Sequence, residues 1–303
     1  MLLNLIKVSA VYHATRIADD IDLRLGDAAM NLMSSFDVPA ILINEHEPDS
    51  DAILRRREKE RDLDGVVIAA AGNGTRMGEL TAETPKPMLK HNGKFLIDYP
   101  VELALESGFD KRDIFVMGRN PHEDSRFRHL DFYTKTRGLQ TIYQRSRPAG
   151  GHLMAFLREL YGNPDAAKRL RPYRRIAFIP SDAKFDSKEN IRKWMDEHGS
   201  MGASLMVTEG EDADVWVKES AAGKYEGFWA KKPSCEMPYN LKPLRHTGAY
   251  ILDMRFLHNL PEMMSMARIY HKGNGFIPEK APVGFVYTGG FREFNNPNDL
   301  RAD

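Results

Sequence analysis

Along most of this chain, short apolar runs alternate with segments whose apolar positions return every three or four residues. Gly65–Ala70, Asp113–Met117, Thr141–Gln144, Arg175–Pro180, Ala203–Thr208, Gly248–Leu252 and Val283–Tyr287 have the length and β-branched or aromatic content of strands. Several are apolar almost throughout, which predicts strands buried on both faces. Helical spacing falls between them, at Tyr99–Glu106, Gly151–Tyr161 and Ser187–His198. The alternation predicts an α/β fold from residue 63 onward, with a mostly parallel sheet and helices on both faces. Ligands of such sheets bind at the carboxyl ends of the strands.

Two regions break the pattern. In residues 214–232, Val215-Trp216-Val217 and Tyr225-Glu226-Gly227-Phe228 flank Gly223 as the arms of a hairpin, which predicts a smaller lobe. Residues 1–62 form an N-terminal extension. Ile17, Ile21, Ala28 and Leu32 give it one amphipathic helix, Val38–Ile43 reads as a short strand, and a second, charged helix follows Ser50. Its run Arg55, Arg56, Arg57, Lys59 and Arg61 is most simply a solvated helix face. The expected organisation is therefore an extension over 1–62 and a single domain over 63–303.

One stretch carries the most chemistry. Val66-Val67-Ile68-Ala69-Ala70-Ala71 runs into Gly72-Asn73-Gly74-Thr75-Arg76-Met77-Gly78, and Pro85-Lys86-Pro87 follows. Gly72 and Gly74 permit positive φ and close backbone approach, so that successive N–H groups can converge on an anion. Arg76 adds a bidentate fork and Lys86 a compact charge, which suits a triphosphate. The turn is not a Walker loop, since Thr75-Arg76 stands where Lys-Ser or Lys-Thr is required. It is not a dinucleotide fingerprint either, since position 77 is methionine.

Composition narrows the setting. Forty-three basic and forty-three acidic residues cancel, so no global field draws the chain to nucleic acid or membrane, and any anion site is local. The single cysteine, Cys235, excludes an internal disulfide and suits a reducing compartment. With no run of eighteen apolar residues and no signal-like start, the expected localisation is cytoplasmic. The ten histidines form no metal-binding pattern, and the fifteen methionines read as core filler. Ile176-Ala177-Phe178-Ile179-Pro180-Ser181-Asp182 is a buried strand that ends in a carboxylate, an arrangement that presents an acid to a metal at the sheet edge.

The opening turn, the arginine-to-lysine spacing and the Gly93-Lys94-Phe95-Leu96-Ile97 segment resemble the sugar-1-phosphate nucleotidylyltransferases, with motifs closest to the glucose-1-phosphate thymidylyltransferase-like branch. The resemblance implies a Rossmann-like mixed sheet with a sugar-binding lobe, Mg2+ as cofactor, and a reaction between a nucleoside triphosphate and a phosphorylated sugar. It implies that Ala70, Gly72, Gly74, Thr75 and Arg76 hold the nucleotide, with Gln144 and Gly150 at the base. Arg76, Lys86 and Asp182 take the catalytic positions. Asp182 is the first metal ligand, although Ser181 replaces the family's glycine before it. Glu293 or Asn295, in Arg292-Glu293-Phe294-Asn295-Asn296-Pro297, falls where the second ligand is expected. Lys232, Gly248 and Tyr250 match the sugar-phosphate side, where Lys231 replaces the expected glutamate.

Two further readings stay open. One is a cytidylyltransferase acting on phosphocholine, an alditol phosphate or a phosphonate, towards which Lys231 leans. The other is a subunit that binds nucleotide without turning it over. The expected partners are a nucleoside triphosphate and a small phosphorylated substrate, with no nucleic acid or membrane, and the family resemblance implies a homo-oligomer.

Overall fold

A computed structural model describes residues 63–145, 151–199, 202–209, 215–219, 225–229, 241–254, 276–278 and 283–301. The expectations for residues 1–62, Gly150, Lys231, Lys232 and Cys235 lie outside the described residues. In chain order the strands are β1 Leu63–Ala69, β2 Lys90–His91, β3 Lys94–Phe95, β4 Ile114–Arg119, β5 Gln140–Gln144, β6 Tyr173–Pro180, β7 Ala183–Phe185, β8 Ala203–Thr208, β9 Val215–Glu219, β10 Tyr225–Trp229, β11 Leu241–Asp253, β12 Phe276–Pro278, β13 Val283–Tyr287 and β14 Phe291–Glu293. The helices are α1 Asp98–Glu106, α2 Arg128–Arg137, α3 Gly151–Gly162, α4 Pro164–Leu170 and α5 Ile191–His198.

The central sheet runs β13-β8-β11-β6-β1-β4-β5. β1, β4, β5 and β6 are mutually parallel, β13 is parallel to β8, and β11 alone runs against its neighbours β6 and β8. Side chains of β1 alternate between two cores. Val67 and Ala69 join Phe156, Leu157 and Leu160 of α3 and Leu170 of α4 on one face. Val66 and Ile68 join Val101 of α1, Leu130 of α2 and Ile191 and Trp194 of α5 on the other. A sheet covered on both faces needs apolar side chains at odd and even positions alike, hence the unbroken run at β1. Each fully buried Val or Ile here stabilises the fold by roughly 1.5–3 kcal/mol.

β11 belongs to two sheets. Leu241–Leu244 pair with β9, which extends through β10 to β12, whereas the later residues pair with β8 and β6. The change of partner coincides with a register shift between His246 and Tyr250, where Gly248 takes φ 76°. A Cβ there would stand 2.9 Å from Pro180 Cγ, so glycine is required on two counts. The hairpin expected around Gly223 is found as the antiparallel pair β9–β10.

The helix expected over Ser187–His198 starts later, at Ile191. Asn190 caps it by accepting from the backbone N–H groups of Arg192 and Lys193, and residues 186–189 serve another purpose described below. α2 and α4 were not anticipated. The sequence of α2 is mostly polar and it buries only Leu130, Tyr133 and Thr134. α4 is a short helix signalled by Asn163 at its cap and Pro164 behind it. Among the described residues no helix is long and apolar enough to cross a membrane.

Candidate active site

The glycine turn leaves the carboxyl end of β1. Ala70 N donates to Met117 O at 2.9 Å, and Ser181 N donates to Ala69 O at 3.0 Å, so the ends of β1, β4 and β6 are tied together where the turn begins. Gly74 uses the freedom expected of it, with φ 66°; Gly72 does not, and Gly78 at φ 56° is the second left-handed position. A Cβ on Gly74 would come within 2.9 Å of the Thr81 side chain and 3.1 Å of Lys86 Cβ. The absence of that atom lets Lys86 pack beside the turn. Thr81 Oγ1 donates to Gly74 O at 3.0 Å and Gly78 O at 3.1 Å, closing the loop from within. Thr75 and Arg76 remain exposed.

Arg119, at the carboxyl end of β4, braces the turn from outside. Its Nε donates to Ala71 O at 3.0 Å, its Nη2 to the Asn73 side chain, and Asp124 lies 3.6 Å from Nη1. Burial depresses its proton affinity while Asp124 opposes that shift. The signal for Arg119 was available in the sequence, because it ends an apolar run and therefore stands at the ligand edge of a parallel strand.

Asp182 follows β6 and is buried, with Lys86 Nζ donating to its Oδ2. The short β7 that begins beside it pairs with β14, setting Glu293 opposite Ala183, and Phe294 N donates to Asp182 O at 3.2 Å. Two carboxylates far apart in the sequence are thereby brought near each other. Burial raises the Glu293 pKa most, and the charge on Asp182 raises it further. A hydrogen bond from Asn295 and the charges of Lys86 and Arg245 pull it back. Arg76 Nη1 donates to Asn295 Oδ1 at 3.2 Å. Arg76, Asn295, Glu293, Asp182 and Lys86 thus form one continuous polar chain. A satellite core supports one end of it, since buried Met77, the neighbour of Arg76, packs with Leu96 and with Phe294, which stands between Glu293 and Asn295.

β14 is itself held by a clamp. Gly290 N donates to Asp186 Oδ2 at 2.9 Å, Asp186 N donates to Gly290 O at 3.0 Å, and Gly289 N donates to Glu189 Oε1 at 2.6 Å. A Cβ on Gly290 would collide with the Asp186 carboxylate. This is why residues 186–189 stay out of α5.

The remaining expected site residues separate into two groups. Gln144 is buried at the end of β5, opposite Arg119 in register, and so reaches the same edge of the sheet. Gly248 brings backbone against Pro180, two residues before Asp182. Tyr250, however, is core: its ring packs 6.3 Å from that of Phe178 and 4.7 Å from His246. Burial holds His246 neutral, lowering its pKa to about 4, and its Nε2 lies 3.2 Å from Ala249 O.

Among the described residues no three His, Cys, Asp or Glu gather. The oxygen donors at the site are two carboxylates and one amide. That set fits magnesium, which takes few protein oxygens and keeps several waters. The mutual repulsion that raises Glu293 is what a divalent cation between the two carboxylates would relieve.

Comparison with known proteins bears on the family and the fold. The MobA-like NTP transferase domain model matches residues 66–244, from β1 into β11. No curated protein sequence matches the chain. Among solved structures, one from Bacillus anthracis assigned as a glucose-1-phosphate thymidylyltransferase, in complex with a sucrose, superposes with a TM-score of 0.56 at 18% identity, covering 78% of this chain and 92% of that one. The inositol-1-phosphate CTP transferase from T. maritima gives 0.53 at 17% identity, covering 79% and 92%. At those identities the superpositions speak for the fold, whereas the domain match spans more than half of the chain. The chain belongs to the MobA-like NTP transferase domain family, and it is a nucleotidyltransferase.

Proposed function

We propose that the protein joins a nucleoside triphosphate to the phosphate of a sugar-1-phosphate and releases pyrophosphate. The observation that carries this reading is the polar chain Arg76–Asn295–Glu293–Asp182–Lys86 beside the glycine turn. An oxygen of the acceptor phosphate attacks the α-phosphorus in line. One P–O bond forms as the α–β bridging P–O bond breaks, and the bonding pair leaves on pyrophosphate. No protein nucleophile is needed, so the residues act by positioning and charge.

The backbone from Ala70 through Thr75 cradles the β- and γ-phosphates. Arg76 and Lys86 stabilise the charge that grows on the leaving group, Lys86 exchanging the Asp182 carboxylate for phosphate oxygens as substrate arrives. Gln144 presents donor and acceptor atoms of one amide to a base edge, with Gly150 beyond it. Lys232 and the Gly248 backbone are assigned to the acceptor. When bound, Mg2+ supplies charge neutralisation on the triphosphate, and Asp182 with Glu293 or Asn295 would hold it.

A second reading, transfer of a cytidylyl group to phosphocholine, an alditol phosphate, a polyol phosphate or a phosphonate, draws on Lys231 and on the inositol-1-phosphate CTP transferase among the similar structures. Pyrophosphate release with Mg2+ separates them: ATP, CTP, GTP, UTP and dTTP are each tested against hexose-1-phosphates, inositol 1-phosphate, phosphocholine and alditol phosphates. Turnover with a hexose-1-phosphate supports the first reading, and turnover confined to CTP with the other acceptors replaces it with the second. Nucleotide binding without turnover across the panel favours a non-catalytic subunit.

A further inference from the structure

The half-buried arginines of this domain come with partners. Arg175 has Asp64, Arg126 has Asp124, and Arg119 has Asp124 together with two oxygen acceptors of the glycine turn. Arg245 is the contrast. It too is half-buried, yet among the described residues no carboxylate stands within ion-pair distance of it and it makes no hydrogen bond, Glu293 acting on it only at longer range. Its contact is aromatic, the guanidinium carbon lying 5.3 Å from the centroid of the Phe291 ring. Half-burying a guanidinium in that state costs free energy that an arriving anion would return.

Its position in the fold indicates which anion. Arg245 pairs in register with Thr208, the last residue of β8, and lies three positions before the Gly248 bulge. It therefore stands at the carboxyl edge of the central sheet, on the strand that continues to Pro180 and so towards Asp182. Phe291 lies two residues before Glu293 on β14, and residues two apart on a strand share a face. The platform is fixed. Phe291 packs 5.3 Å from Phe185, which packs 4.9 Å from Trp194, and Thr208 Oγ1 donates to Gly289 O at 2.8 Å, fastening the segment that leads into Phe291. The charge on Arg245 is felt at Glu293, so the guanidinium is within electrostatic reach of that carboxylate. Lys86 pairs with Asp182, and both cations act on Glu293.

We infer that Arg245 receives the phosphate of the acceptor substrate, holding it by its planar fork over Phe291 so that one oxygen faces the nucleotide site. The inference rests on the nucleotidyl-transfer reading above and deepens it. It makes the acceptor a phosphomonoester dianion and disfavours acceptors that offer only a neutral hydroxyl. The ring platform orients the guanidinium plane, so lysine is a poor substitute.

The test uses the full chain, with methyl phosphate as the probe because it is a minimal phosphomonoester. Methyl phosphate is titrated with Mg2+, alone and beside whichever of the five nucleoside triphosphates the wild type binds. Arg245→Met is expected to weaken methyl phosphate binding about tenfold or more. Arg245→Lys should recover part of the loss, while nucleotide affinity stays within about twofold of wild type in both variants. Unchanged methyl phosphate affinity in Arg245→Met, or no methyl phosphate binding by the wild type, overturns the assignment. If Arg245→Met does not fold, Arg245→Lys decides by the same criterion, weaker binding supporting the assignment and unchanged binding overturning it. Failure of the wild type to bind any of the five nucleotides is a separate result: it removes the nucleotidyl-transfer reading, and the nucleotide-free titration still scores Arg245.

Discussion

β1 and β6 carry an ionic cluster at each end, and the two clusters are built in opposite ways. At the amino end of β1, Asp64 accepts from Arg175 Nε and Nη2, both at 2.8 Å, and from Arg192 Nη1 at 3.0 Å, while Arg175 Nη1 donates to Met195 O at 2.6 Å. Arg192 also stacks 3.9 Å from the Phe109 centroid. That cluster is saturated. At the carboxyl end, Asp182 has Lys86 while Glu293 has no ion pair among the described residues and a raised pKa, and Arg245 stands nearby with only an aromatic contact. A saturated cluster fixes strands to each other. An unsaturated one stores interactions that a ligand can complete, and it is affordable only because packing and the opposite cluster hold the scaffold.

The sharpest way to break this contrast is to remove one charge from each end. Lys86→Ala should lower kcat by roughly 10²–10³-fold in a protein that still folds, measured as pyrophosphate release with a productive substrate pair; near-normal turnover would take Lys86 out of the chemistry. Asp64→Ala should do the reverse, destabilising the fold by about 3 kcal/mol in urea titration while the folded fraction keeps its kcat. Lost turnover at unchanged stability would show that the amino-end cluster is not structural.

A smaller effect is expected from acid. His246 is neutral in the fold, with a pKa of about 4, but takes a proton near 6.5 once unfolded. Its contribution is therefore complete above about pH 6.5 and is lost as pH falls towards 4, amounting to about 2 kcal/mol by pH 5. Unfolding free energies from pH 7.5 to 5 should show that slope, and His246→Phe should flatten it; an equally steep slope in the variant would assign it elsewhere. The mildest test concerns the clamp on β14. Gly290→Ala should displace Asp186 and raise the Mg2+ concentration needed for half-maximal activity about tenfold, with KM for the triphosphate little changed. An unaltered Mg2+ requirement would mean that β14 holds Glu293 without the clamp.

The sequence was informative wherever one segment contains its own reason. β1, β4 and β6 announce themselves because strands buried on both faces must be apolar throughout. Lys86 and Arg76 were legible through a turn that Gly74 makes possible. What could not be read was pairing across distance. Nothing local to Asp186 or Glu189 says that they will bind Gly289 and Gly290, so those residues looked like the start of a helix. Nothing in Leu241–Leu244 shows that β11 begins there, because its first partner is β9 and its apolar content is slight. Tyr250 was read from the family motif, and its packing against Phe178 and His246 could not be, since the bulge at Gly248 sets the phase of the residues after it. Arg245 was passed over because an isolated arginine in a strand has no pattern.

The contact between Met77 and Phe294 also bears on the order in which the protein comes into being. Arg76 and Asn295 lie 219 positions apart, and a chain emerges from the ribosome amino end first. The glycine turn, β1 and Lys86 are exposed early, while Asp182 waits for Glu293 and the turn waits for Phe294. A nascent chain thus has most of its central sheet translated before β14 can bring Glu293 and Asn295 to Asp182 and Arg76.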